Sequence, residues 1–131
     1  MKEFMFFIRK QSNSEKTLSP EKMRQFLKAC EIYIDKLKLE GKLVSAKPIV
    51  WEGKIISGKA KSWTETSYTD TGEIIGGYYH ILAKDIDEAV EIAKANPEFS
   101  YNENTRIEVR PVKMKEEKTG FVYPSEKAEK A

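Results

Sequence analysis

The sequence predicts an α+β protein in which an antiparallel sheet carries two helices on one face. Three observations point there. Two segments, FMFFI from Phe4 to Ile8 and EIIGGYYHILAK from Glu73 to Lys84, are apolar or aromatic on nearly every residue, so strands formed from them need cover on both sides and belong at a sheet centre. Two other segments carry apolar residues at helical spacing behind capping signals. The 131 residues, 40 % of them apolar, suit one core and are too few for two ordinary domains.

In chain order, FMFFI is the first strand, and the polar stretch from Lys10 to Leu18 is a loop. Ser19 then offers an N-cap and Pro20 the first helical position. The helix they open carries Met23, Phe26, Leu27, Cys30, Ile34 and Leu37 on one stripe and stops at Gly41. LVSAKPIV and KIISGKAKSWTETSY read as β pieces joined by a hairpin turn at Glu52-Gly53-Lys54, with Pro48 placing the first piece at an edge. A polar turn through Asp70, Thr71 and Gly72 leads to the second central strand, whose Gly76-Gly77 pair fits a bulge better than a phosphate loop, because no helix follows it. Asp85 and Glu88 open the second helix, with Ile86, Ala89, Val90 and Ala93 inward, and Asn96-Pro97 closes it. In the last strand, Arg106 to Val112, Ile107 and Val109 alternate with Glu108 and Arg110, which gives it one wet face. The expected domain is 1–112. The remainder, 113–131, is a charged tail, expected to be partly mobile or to lie across a neighbour, with Phe121, Val122 and Tyr123 as its only apolar anchors.

Composition narrows the function classes. Lys and Arg total 23 against 21 Asp and Glu, a formal charge of +2 with the signs interspersed, so nothing points to nucleic acid or a membrane surface. A single cysteine, Cys30, excludes an intrachain disulfide and any multi-cysteine metal site. No stretch has the length and hydropathy of a signal peptide or membrane span, which makes a reducing cytoplasm the expected compartment. No metal and no cofactor is expected.

The order strand, helix, hairpin strands, strand, helix, strand is the split βαβ arrangement of the ferredoxin-like fold. Two helices cover only one face of such a sheet, and the other would present Phe and Tyr side chains to water over an area that monomers rarely leave exposed. A second copy offering the same face would satisfy both chains through a two-fold interface, so the expected partner is the protein itself.

With these residues placed, the chain resembles the YCII-related, or DGPF-domain, family of dimeric α+β barrel proteins. The resemblance runs from about Met1 to Val112 and is carried by LSPEKMRQFL, by EGKLVSAKPIVWEGKIISGK, and by IIGGYYHILAKDIDEAVEIAKANP leading to IEVRPV. It implies the same fold and dimerisation. Where the family usually shows Asp-Gly-Pro-Phe, this chain has Glu65-Thr66-Ser67-Tyr68, and the start of the first helix, Ser19 to Met23, lacks the histidine that the YciI-like branch is thought to use. Some relatives act on small aromatic ring compounds, and most activities in the family are undefined.

Six residues, Arg9, Trp63, Glu65, Tyr68, Tyr78 and His80, are candidates for a ligand pocket. His80, the only histidine, falls on the strand face of Tyr78 and Leu82, where it could act as a general base; its ordinary role is a hydrogen-bonded core or interface residue. Arg9 shares a face with Met5 and Phe7 and could hold a carboxylate, or simply pair with Glu65, Asp70 or Glu73. Trp63, Glu65 and Tyr68 could rim the pocket, or the rings could form a plain subunit contact. Cys30 lies on the helix stripe as a buried, inert thiol rather than a nucleophile. The leading expectation is a homodimer that binds a small aromatic or carboxylate compound, or acts on it as a cofactor-free enzyme; the alternative is a regulatory or structural module without turnover. RNA binding fits poorly, because GGYYHIL places Tyr79 where the RNA-recognition motif needs a small residue and His80 where it needs a stacking ring.

Overall fold

The computed structural model describes residues 1–11, 18–68 and 72–125. The expected turn residues Asp70 and Thr71 and most of the expected loop after Lys10 lie outside them, as do residues 126–131 of the tail. The elements run β1 (Lys2–Gln11), α1 (Pro20–Leu39), β2 (Leu43–Pro48), β3 (Lys54–Lys59), β4 (Ser62–Ser67), β5 (Glu73–Ala83), α2 (Ile86–Lys94), α3 (Glu98–Tyr101) and β6 (Arg106–Pro111). Four strands form one antiparallel sheet in the order β2-β5-β1-β6, the ferredoxin-like order, with the two apolar strands at its centre and the Pro48 strand at its edge.

Capping chemistry sets the helix starts. The Ser19 hydroxyl accepts from the Lys22 N–H at 3.2 Å with Pro20 following, and the Asp85 carboxylate accepts from the Glu88 N–H at 2.9 Å. Both helices cover the same face, where Phe4, Phe6 and Ile8 of β1 and Tyr79, Ile81 and Ala83 of β5 pack with Tyr33, Leu37, Ala89 and Ala93.

The inward stripes differ from expectation. Met23 and Leu27 are exposed, Leu27 at 57 %, and Tyr33 is buried in their place, its hydroxyl donating to the Ile92 carbonyl at 2.6 Å. Ile86 is exposed too, and Ile92 packs against the core instead. A stripe read from spacing alone does not reveal that α1 meets the core through Tyr33 and Leu37 in its C-terminal half, so Met23 and Leu27 of its first turns stay in water while Phe26 packs against Tyr101 of α3.

The larger correction concerns the hairpin. β2 and β3 do not pair across Glu52-Gly53-Lys54; the piece KIISGKAKSWTETSY folds back on itself at Ala60-Lys61 to form a separate two-stranded sheet, β3-β4. Backbone geometry fixes the turn. Lys61 has φ +73°, and Gly58 has φ +120° with the Ser62 carbonyl so close that an added Cβ would lie 2.1 Å from it, so only glycine fits. The Tyr68 N–H donates to the Gly53 carbonyl at 2.9 Å and closes the base of this arm.

The Gly76-Gly77 bulge is present as expected. Pairing with β1 skips a residue there, so Ile74 faces the helices and Ile75 the open side, reversing the odd-even rule that holds from Gly77 onward. After β6, residues 113–125 turn back on themselves, with a bridge between Lys115 and Val122 and the Tyr123 hydroxyl on the Glu116 carboxylate.

Candidate functional site

The face of the sheet without helices carries Glu3, Met5, Phe7 and Arg9 from β1, opposite Leu82, His80, Tyr78 and Ile75 from β5. Period-two alternation aligns them, and the bulge at Gly76 keeps Ile75 in the row. The chain itself partly roofs this face. After β2 the segment from Ile49 to Glu52 crosses it, held by an Ile49 N–H to Gly76 carbonyl bond of 2.9 Å, and Tyr68 returns over it at the base of the arm, its hydroxyl accepting from the Ile75 N–H at 2.6 Å. Under this roof lies a hollow of about 350 Å³, open to solvent, with Met5, Phe7, Ile75 and Tyr78 as floor and Ile49 and Val50 among its walls.

The structure divides the six sequence candidates. Tyr68 and Tyr78 line the hollow; Arg9 and His80 share its face without lining it. Trp63 and Glu65 lie on the exposed arm, where Glu65 approaches Lys54 at 3.9 Å and Trp63 is 62 % exposed.

Electrostatics explains what Arg9 and His80 are occupied with. Arg9 is bracketed by two carboxylates, in an ion pair with Glu73 and at 3.0 Å from Glu108. Glu73 also accepts from Arg106, and the two guanidiniums, Arg106 foremost, hold its carboxyl below the usual carboxylate range. Of the three partners considered for Arg9, Glu73 is the one found. His80 Nε2 lies 2.7 Å from Glu3 Oε1, and the Glu3 residue is only 4 % exposed.

Glu3 is the residue that sequence reasoning missed. Its position one alternation before Met5 placed it on the open face beside His80, but a glutamate at a chain start reads as solvated surface, and only strand register shows that the two meet. Among the described residues no group of three or more His, Cys, Asp and Glu is placed to hold a metal ion, and no helix is long and apolar enough to cross a membrane.

The strand order, the helices on one face and the hollow on the other define an α+β protein of split βαβ type with a concave, largely apolar recess on its helix-free side. Within that class, the YCII-related domain family is matched over residues 3–114, and the chain belongs to it. No curated protein matches the chain.

Proposed function

We propose that this protein is a homodimeric small-molecule-binding protein, its two chains packed through the helix-free faces so that each hollow becomes an enclosed lumen. The observation that carries this reading is the apolar surface beside the hollow. Met5, Phe7, Ile75 and Tyr78 are half-buried beneath the chain's own roof, while Ile49 and Val50, which wall the hollow, stay exposed to solvent. A symmetric partner covers that surface with its own copy and turns an open recess into one of ligand-holding size. The floor and walls suit a small aromatic compound, with Tyr68 and Tyr78 supplying rings to stack on it.

A second reading, a regulatory or structural module without turnover, is favoured by one observation. Arg9 and His80, the cation and the imidazole on this face, are both engaged by carboxylates.

Phe7→Arg puts an unpaired charge into the shared face. It is expected to yield a folded monomer at concentrations where the parent is a dimer, and to abolish the rise in melting temperature given by benzoate or a comparable small aromatic acid. A variant that stays dimeric and keeps the thermal shift contradicts the proposal. A dimer in which no aromatic acid raises the melting temperature supports the module reading instead.

A further inference from the structure

We propose that the cleft between α1 and the helix-facing side of β2 and β5 is a second, separate small-molecule site, shaped for an uncharged, flat, mainly apolar compound bearing one hydrogen-bond acceptor. It lies across the sheet from the hollow and encloses about 450 Å³. An apolar cavity of about 150 Å³ already holds benzene, so this volume accommodates two fused rings.

The cleft exists because the sheet cannot fill it. Its floor is Ala46, Pro48 and Gly77, paired across β2 and β5 at the point where the bulge starts. A side chain at Gly77 would bring its Cβ to 3.1 Å from the Lys47 carbonyl, close enough that the β2 backbone would have to shift by a few tenths of an ångström to admit it, so glycine keeps this part of the floor low. Above the floor, α1 offers Phe26, Cys30 and Ile34 and does not descend to close the gap. The cleft opens to solvent, and its apolar lining lacks contacts there that a bound ring would supply.

Polar groups gather in the cleft. Tyr79 and Cys30 both line it, and burial pushes the Tyr79 phenol up to about 12 and the Cys30 thiol up to about 11, so each keeps its proton and is a donor at neutral pH. Glu98 is the adjacent acid, and it is already satisfied by Lys10 at 2.7 Å and Asn102 at 2.8 Å. Protonated donors beside a neutralised carboxylate select a carbonyl or ether oxygen. The other charged residues that line the cleft are two acids, Glu31 and Asp35, and two lysines, Lys38 and Lys47, so their formal charges sum to zero.

The chain's single cysteine makes the test direct. Coumarin, a neutral fused-ring lactone, is expected to slow alkylation of Cys30 by iodoacetamide at least about fivefold at saturation. Coumarin-3-carboxylate is expected to protect at least about tenfold less well, because its charge must be desolvated. Amide chemical-shift changes with coumarin are expected at Ala46, Gly76 and Gly77 and not at Met5 or Phe7. Ala46→Leu, which fills the floor, is expected to abolish protection; the unmodified chain's shift map decides the matter if that variant folds poorly. An alkylation rate unchanged by coumarin up to its solubility limit, equal protection by the acid, or shifts confined to Met5 and Phe7 each overturn this site. None of these outcomes bears on dimerisation through the opposite face, and Phe7→Arg is expected to retain coumarin binding.

Discussion

Two β regions of this molecule draw on similar residues and meet opposite fates. β1 and β5 are rich in Phe, Ile and Tyr, and their helix-facing side chains are almost wholly removed from water. β3 and β4 carry Ile55, Ile56 and Trp63, yet every residue of both strands is exposed. What separates them is cover, not composition. The central strands lie beneath two helices and beside two neighbours each, whereas the arm pairs only with itself, and an isolated two-stranded hairpin is marginal in water. The arm thus presents apolar side chains to water in addition to those on the helix-free face of the sheet.

The contrast breaks most directly under truncation. Phe6→Ala removes a ring with no exposed surface and is expected to lower unfolding free energy by about 3–5 kcal/mol, whereas Ile56→Ala on the arm is expected to cost under about 0.5 kcal/mol in the isolated chain. Urea denaturation at low concentration compares them, and equal losses would erase the distinction. Glu3→Ala comes next: it strands the His80 ring in a half-buried position and is expected to cost about 1–3 kcal/mol by the same assay. A loss below 0.5 kcal/mol on that ~1 kcal/mol scale of buried hydrogen bonds would show that the pair is only a surface contact.

Trp63→Ser is expected to leave monomer stability nearly unchanged and to weaken self-association about tenfold, or ~1.4 kcal/mol, because exposed tryptophans often anchor interfaces. Sedimentation equilibrium reads this, and an unaltered dissociation constant would remove the arm from the interface. The smallest effect belongs to Glu73. Its folded carboxyl sits below the ordinary value, so its contribution is complete above the unfolded pKa and is lost as pH falls through the folded one. Arg106→Ala is expected to move the Glu73 titration upward in a carboxyl-detected NMR series; no movement would assign the depression to Arg9 instead.

Much of the sheet was legible in the sequence because its signals are local. Doubly apolar strands, the Ser19-Pro20 and Asp85-Glu88 starts and the glycine pair each announce their own geometry. The arm was not, because KIISGKAKSWTETSY alternates well enough to pass for one long strand, and its fold-back rests on a glycine squeezed against the Ser62 carbonyl and on Lys61 at positive φ. The register that joins Glu3 to His80 is a tertiary fact, since the two are 77 residues apart. For the same reason Tyr68 and Tyr78 were recognisable as ring donors, but the roof from Ile49 to Glu52 that gives them a hollow to line was not.

Size-exclusion chromatography with multi-angle light scattering, run at micromolar concentration on the full chain, tests the central claim most simply. Pairing through the helix-free face predicts a single peak at twice the 15.1 kDa of one chain. A peak at 15.1 kDa that persists as concentration rises would mean that the Met5, Phe7 and Tyr78 face and the arm beside it stand in water unaided, and the account of this protein as a dimer would be wrong.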